Sequence, residues 1–339
     1  MEAAHPTTQA PVSVVIPSYN EEMGVGDQVT AVREVLSSCR IVHEIIVVDD
    51  GSSDKTAVEA LRAQARVLKH PANRGYGAAI KTGILAAKYD TIVITDADGT
   101  YPAEEIPRLV AKLEIADMAV GARTGADVHI PLIRRPAKRF LTWLATWIVG
   151  QPIVDLNSGL RAFRRDCARQ YFSILSDRFS FTTTITLALL ADDYLVVYHP
   201  VNYYKRVGRS KISPRDFLDF TILVLRMAML FHPLRIFAPL AFLCGSLGIL
   251  KVVYDVVSVF LRAGHFDWSL LYQPVLSTSA ILFLLVGLQL LLIGMVADGV
   301  VRRIGQQNRS LTPSHAIRAI QSLPVAQPEK EELIYRSKL

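Results

Sequence analysis

Three apolar runs, each ending in polar residues, constrain the fold of this chain more than any other feature. They are Val12-Ser13-Val14-Val15-Ile16-Pro17, Glu44-Ile45-Ile46-Val47-Val48-Asp49-Asp50 and Thr91-Ile92-Val93-Ile94-Thr95-Asp96-Ala97-Asp98. Near-continuous runs rich in β-branched residues suit strands covered on both faces, the condition of a parallel sheet. Residues 27–38 carry helical periodicity, a further helix runs to about residue 63 with Ser53 or Asp54 as its N-cap, and another opens after Asn73-Arg74-Gly75-Tyr76-Gly77. Residues 66–69 read as a short further strand. Strands alternating with helices over short loops predict an α/β, doubly wound, mostly parallel sheet.

Ligands of such sheets sit outside the carboxyl ends of the strands. Polar groups converge there: Tyr19 and Glu21, Asp49 and Asp50, Asp96 and Asp98. With Asp96 and Asp98 taken as the end of a strand, their i, i+2 spacing points both carboxylates the same way. The competing reading is a plain polar turn, since Asp, Gly99 and Pro102 all favour turns. Two adjacent carboxylates repel each other unless a cation joins them, and hard oxygen donors in this number suit Mg²⁺ or Mn²⁺ bridging a diphosphate.

The second half of the chain is of another kind. Hydrophobic residues make up 51% of the 339, and the excess lies after residue 220. The net charge of +6 clusters beside apolar segments, which favours an anionic membrane surface over nucleic acid. Cys39, Cys167 and Cys244 are scattered, with no zinc or disulfide spacing, and point to a reducing compartment. Residues 1–11 lack the pattern of a signal peptide and read as a disordered lead-in. In residues 130–150, Arg134, Arg135, Lys138 and Arg139 lead into Phe140, Leu141, Trp143, Leu144, Trp147 and Ile148, an interfacial helix by composition, with an ordinary core-facing helix as the alternative. Residues 214–230 resemble a second such helix. Residues 236–261 and 275–296 are each long and apolar enough to span a bilayer. Lys251 and Asp255, at i, i+4, share a face and can pair. Arg226, Arg235, Arg302, Arg303 and Arg309 flank the two spans on one side, which places both termini and the first half of the chain in the cytoplasm.

Four motifs in order, Pro17-Ser18-Tyr19-Asn20-Glu21, Val48-Asp49-Asp50-Gly51-Ser52, Asn73-Arg74-Gly75-Tyr76-Gly77 and Asp96-Ala97-Asp98, resemble those of glycosyltransferase family 2 on the GT-A fold. Downstream, Gly121-Ala122-Arg123, the run from Asp155 to Phe163, and Arg206-Val207-Gly208-Arg209-Ser210-Lys211 are similar to polyprenyl-phosphate glycosyltransferases, of which dolichol-phosphate mannose synthase is the best-known kind. The resemblance covers residues 12 to 215, and the two apolar segments match the membrane-anchored members. It implies that Pro17, Tyr19, Glu21, Val48 and Asp50 line a nucleoside pocket. It implies that Asp96, Ala97 and Asp98 hold ribose, metal and diphosphate, and that Arg123 with Arg206 or Lys211 faces phosphate. An aromatic ring beside a base and Arg forks on phosphate are chemically apt for those roles. Asp98, Arg123, Arg206 and Lys211 are the implied catalytic set, Asp96 and Asp98 the metal ligands. Arg161 reads better as a structural ion pair.

Members that use a sugar hydroxyl often place a carboxylate base near Phe179-Ser180-Phe181-Thr182-Thr183-Thr184; here none appears before Asp192. A phosphate monoester needs no such base, being already an anion near neutrality. The expectation is therefore an inverting transfer of a hexose from a nucleotide sugar to polyprenyl phosphate. Two rival readings are a transferase with a hydroxyl acceptor and a non-catalytic nucleotide-binding scaffold. The expected layout is a lead-in (1–11), a catalytic domain (12–213), a juxtamembrane helix (214–235), two spans (236–298) and a cytoplasmic tail (299–339). The implied partners are the donor, the lipid acceptor and the bilayer; nucleic acid is not among them, and a homo-oligomer is left open.

Overall fold

The computed structural model describes residues 10–126, 135–178, 180–205, 215–263 and 276–309. Its centre is a seven-stranded sheet: β1 (Val12–Ser18), β2 (His43–Asp49), β3 (Arg66–Lys69), β4 (Thr91–Ile94), β5 (Met118–Ala122), β6 (Arg161–Arg164) and β7 (Val196–Pro200), in the order β3-β2-β1-β4-β6-β5-β7. All neighbours pair in parallel except β6, which is antiparallel to both β4 and β5.

Burial explains the apolar runs. Every residue of β1 is buried, and its side chains alternate between two cores: Val12, Val14 and Ile16 enter one, Val15 the other. The first core is closed by α1 (Val25–Ser38), α2 (Thr56–Arg62) and α4 (Ile106–Lys112), which contribute Val29, Leu36, Ala60 and Leu109. The second is closed by α3 (Tyr76–Ala86), α5 (Arg135–Val149), α6 (Arg165–Arg169), α7 (Phe181–Ala191) and α8 (Arg215–Phe231). Helix α3 presents Ala79 and Gly83 to the sheet; a Cβ at Gly83 would overlap the Val15 side chain. Cutting a fully buried Ile or Leu back to Ala in either core costs about 2–5 kcal/mol.

Two local expectations need correction. The strand that leads to Asp96 ends at Ile94, so Asp96 and Asp98 stand in a turn and strand periodicity does not aim them. Pairing with β1 ends as Thr95 N–H donates to Val15 O (3.3 Å), and Gly99 then turns the chain at φ +69°. Helix α2 starts at Thr56, past both proposed caps; Asp54 Oδ1 instead accepts from the Thr56 N–H (3.0 Å).

After α8 the chain runs into α9 (Pro233–Ala263), which packs against α10 (Thr278–Arg309). Residues Pro233–Val259 and Thr278–Val301 are long and apolar enough to cross a membrane; at 27 and 24 residues they exceed the roughly 20 needed. Small residues let the two approach: a Cβ on Gly287 would lie 3.0 Å from Ala241 O and from Gly245 N. The outward side chains are apolar and bare, Phe242 at 79% and Val296 at 67% exposure, more apolar surface than water tolerates on a stable monomer. At one end, Asp255 accepts from Lys251 Nζ (2.5 Å) and from the Ser277 N–H (3.0 Å), so the anticipated i, i+4 pair also ties α9 to the start of α10.

The hairpin is fastened to the sheet domain. Arg235, in the first turn of α9, donates from Nη1 to Ile148 O (2.5 Å) and Trp147 O (3.3 Å), the terminal carbonyls of α5. A cation there complements the helix dipole.

Candidate active site

The strand order turns outward in opposite directions from β1 and β4, and this switch point is where a doubly wound sheet leaves a crevice at its carboxyl edge. The loop after β1 and the turn after β4 meet there. Gly24 makes the approach possible: a Cβ on it would lie 2.9 Å from Ala97 O. The β1 loop is itself laced to the β2 loop. Asn20 N–H donates to Ser52 Oγ (3.0 Å), Ser53 N–H to Asn20 Oδ1 (3.0 Å), and Glu21 N–H to Thr56 Oγ1 (2.9 Å). Pro17, Val48 and Ala97 are buried beneath this edge, and Tyr19 and Glu21 are half-buried on it.

Asp50 is buried at 3% exposure, and both oxygens are engaged. Oδ1 accepts from the Arg74 N–H (2.9 Å) and from His70 Nδ1 (2.7 Å); Oδ2 accepts from the Gly75 N–H (2.8 Å). His70 Nε2 lies 2.9 Å from the Thr82 hydroxyl, so Asp50 and Thr82 hold the ring from both sides. In this arrangement Asp50 clamps the Asn73–Gly77 segment. That segment's glycines serve a close approach of the chain at 176–178: Cβ atoms on Gly75 and Gly77 would overlap Asp177 O and Ser176 O. The Gly77 and Ala78 amides at the start of α3 donate to Arg178 O (3.2 Å) and Asp177 O (2.9 Å).

Asp96 and Asp98 are held from different directions. Asp96 Oδ1 accepts from the Tyr76 hydroxyl (2.9 Å). Burial and the Asp96 carboxylate push that hydroxyl well above the usual tyrosine range, so it stays a donor. Asp98 is 6% exposed, and its Oδ1 accepts from the Thr100 hydroxyl (2.6 Å) and amide (3.2 Å). Among the described residues no group of three or more His, Cys, Asp and Glu side chains could hold a metal ion. Asp96 and Asp98 are the residues here that would hold a cation, with phosphate and water oxygens as its remaining ligands. That oxygen-only, protein-poor donor set suits Mg²⁺ or Mn²⁺.

The antiparallel β6 brings a further segment to the same edge. Ile94 is opposite Arg161, so the chain entering β6 passes over the end of β4. Gly159 there lies against Asp96; a Cβ would overlap the carboxylate. Tyr101, 2% exposed, accepts from the Gly159 N–H at its hydroxyl (2.8 Å). Arg123, just past β5, forms a bidentate pair with Asp155: Nε to Oδ2 is 2.7 Å and Nη2 to Oδ1 is 2.8 Å. Its guanidinium also stands 5.3 Å over the Tyr203 ring. Arg161 is fully buried and bonded to Ser158 O (2.7 Å), Leu156 O (2.8 Å) and Thr186 Oγ1 (2.5 Å). Its anticipated structural role takes the form of bonds to carbonyls and a hydroxyl. Arg206 and Lys211 lie outside the described residues; just before them, Tyr204 N–H donates to Thr100 O (2.9 Å), beside the Asp98 turn.

Sequence reasoning assigned no role to His70, Tyr76, Tyr101, Asp155 and Gly159. Tyr76, Asp155 and Gly159 lie within the family-like motifs; Tyr101 and His70 carry no signal beyond their nearness to them. Asp192, the first carboxylate after the Phe181–Thr184 run, accepts from Tyr171 OH (2.5 Å) at the far end of α7. At the near end, Thr183 donates to Asn157 (2.6 Å).

Comparison with known proteins agrees with this geometry. Residues 13–172 match the profile of Glycosyl transferase family 2, and residues 232–302 match the GtrB C-terminal hairpin. The chain is 32% identical, over 74% of its own length and 73% of the relative, to an undecaprenyl-phosphate 4-deoxy-4-formamido-L-arabinose transferase of Pseudomonas fluorescens. It is 30% identical over 60% of its length to a low-salt glycan biosynthesis hexosyltransferase of Haloferax volcanii, of which it spans 50%. Among solved structures it resembles glucosyl-3-phosphoglycerate synthase of Mycobacterium tuberculosis in complex with Mn²⁺, UDP-glucose and phosphoglyceric acid, with a TM-score of 0.54, 19% identity, and coverage of 66% of this chain and 81% of that one. The fold is thus GT-A, and the chain belongs to glycosyl transferase family 2.

Proposed function

We propose that the protein transfers a hexose, with inversion, from a nucleotide sugar to a polyprenyl phosphate at the cytoplasmic face of a membrane. One observation carries this reading: the Asp96–Asp98 turn at the sheet's switch point belongs to a domain that Arg235 fastens to a two-helix membrane hairpin. A relative named for undecaprenyl phosphate supports the acceptor, and a fold neighbour solved with UDP-glucose supports the donor class. The arginines flanking the hairpin, from Arg226 and Arg235 to Arg302, Arg303 and Arg309, support a multi-pass topology with the catalytic domain in the cytoplasm.

In this reading the nucleoside lies in the crevice beside Tyr19 and Glu21, over Pro17 and Val48. Asp50 shapes the wall through the Arg74 and Gly75 amides. Asp96 and Asp98 hold the diphosphate end together with a divalent cation, whose charge would stabilise the departing diphosphate. Arg123, Arg206 and Lys211 face the phosphates of donor and acceptor. A lipid-phosphate oxygen attacks the anomeric carbon as the sugar–diphosphate bond breaks, and the nucleoside diphosphate leaves with the bonding electrons. No proton is removed from the nucleophile, in keeping with Thr183, rather than a carboxylate, at the near end of α7. Aligning the two partners supplies much of the rate.

The test incubates the purified protein with a panel of UDP- and GDP-sugars and undecaprenyl phosphate and identifies the lipid product by mass. A single hexosyl-phosphate lipid is expected, lost with EDTA and restored by Mg²⁺ or Mn²⁺. Equal transfer to polyprenol lacking the phosphate would overturn the acceptor, and full activity in EDTA the cation.

A further inference from the structure

We propose that the crevice where the sheet domain meets the first span is a binding site for the phosphate of a membrane lipid, with Arg235 as its anion ligand. The crevice is a broadly open depression of about 450 Å³, lined by Trp147, Gly150, Arg235, Ala238 and Pro239. Apart from one guanidinium the wall is apolar or backbone. Arg235 is held in place by the two carbonyls of α5, is exposed, and lines the crevice. Gly150 makes room for it: at φ +80° it adopts the left-handed form, and a Cβ would lie 2.6 Å from Nη1 and 2.8 Å from Nη2. The end of a helix carries about half an elementary negative charge. A full guanidinium charge therefore outweighs it and leaves the crevice positive.

The position selects a lipid rather than a soluble anion. Arg235 stands two residues after Pro233, where the first membrane-crossing segment begins, and therefore at the level of the headgroups. Trp147, 45% exposed, is the kind of side chain that settles at that level. The planar guanidinium fork matches phosphate oxygens. A volume of this size takes a headgroup and leaves the acyl chains outside, where Leu240 and Leu243, 47% and 55% exposed, continue the surface of α9. Bulk anionic phospholipid and polyprenyl phosphate share this chemistry. The inference rests on the membrane placement of α9 and α10, not on the transfer reaction.

The full-length protein in detergent is mixed in turn with phosphatidylglycerol, undecaprenyl phosphate and inorganic phosphate, and retained molecules are counted by native mass spectrometry. One retained lipid is expected, with affinity falling about tenfold or more in Arg235→Gln, the loss of a charged hydrogen bond. Ala238→Leu fills the crevice without touching the carbonyl bonds, and the same loss is expected even if Arg235→Gln loosens α5. Retention of phosphatidylglycerol identifies a structural phospholipid; preference for undecaprenyl phosphate identifies a holding site for the acceptor. Undiminished lipid in both variants, or inorganic phosphate held as tightly as lipid, overturns the proposal. A protein that retains lipid here yet transfers no sugar sinks only the proposed function.

Discussion

Single atoms decide much of the site. Gly159 has no room for a methyl group, because Asp96 occupies the place of its Cβ. Gly159→Ala is expected to push the carboxylate aside and lower transfer by about a hundredfold, the cost of misplacing a group by roughly 1 Å. Tyr76→Phe removes a hydroxyl donor from Asp96 without adding bulk, and a milder loss of about tenfold is expected. Turnover and thermal midpoint, measured side by side, separate misplacement from unfolding. Wild-type turnover in Gly159→Ala would remove Asp96 from the machinery. Asp155→Asn tests a structural role instead: it leaves the largely buried Arg123 without its bidentate partner, and breaking such a pair costs about 3–5 kcal/mol, read as a lowered denaturation midpoint.

At the scale of the element, α5 reconciles the two readings its sequence allowed. Leu141, Ala145, Ile148 and Val149 enter the core, while Phe140, Trp143 and Trp147 are 45%, 60% and 45% exposed. The helix is a core helix on one face and bare aromatic surface on the other. Its end is tied to α9, the first membrane-length apolar helix, through Arg235. Replacing Arg134, Arg135, Lys138 and Arg139 with Gln in the full-length protein removes about 1 kcal/mol of attraction per charge to an anionic surface. The protein is expected to stay membrane-bound and to keep its nucleotide affinity, while transfer to lipid in anionic vesicles falls. Unchanged transfer at both low and physiological salt would reduce α5 to packing alone.

The whole molecule offers a topology test through its cysteines. Cys39 is exposed on the sheet domain and Cys244 lies within the first span, while Cys167 is 8% exposed. Burial pushes the Cys167 thiol up to about 12, so it carries little of the reactive thiolate near neutral pH. A membrane-impermeant maleimide is therefore expected to label Cys39 in inverted vesicles and not in intact, right-side-out ones. Labelling in intact vesicles, abolished by Cys39→Ser, would put the catalytic domain on the opposite side.

Much of this was legible in one dimension because it depends on local pattern. Strands β1, β2 and β4 carry the apolar runs Val14–Ile16, Ile45–Val48 and Ile92–Ile94 because both faces are covered there, and that condition writes itself into consecutive residues. The spans were visible for the same reason, since a bilayer demands length and apolarity of a single segment. What the pattern does not contain is pairing between distant segments. The antiparallel insertion of β6 carries Gly159 to Asp96 and Asp155 to Arg123, and no local periodicity records such a crossing. Strand alternation does not aim Asp96 and Asp98, because the length of β4 is set by its partners. Pairing with β1 ends at Thr95, and the backbone is then free to turn. Sequence supplied the chemical groups and the edge of the sheet at which they gather; only the tertiary contacts of glycines, carbonyls and one arginine decided how each group is held, because packing distances arise between segments and not along them.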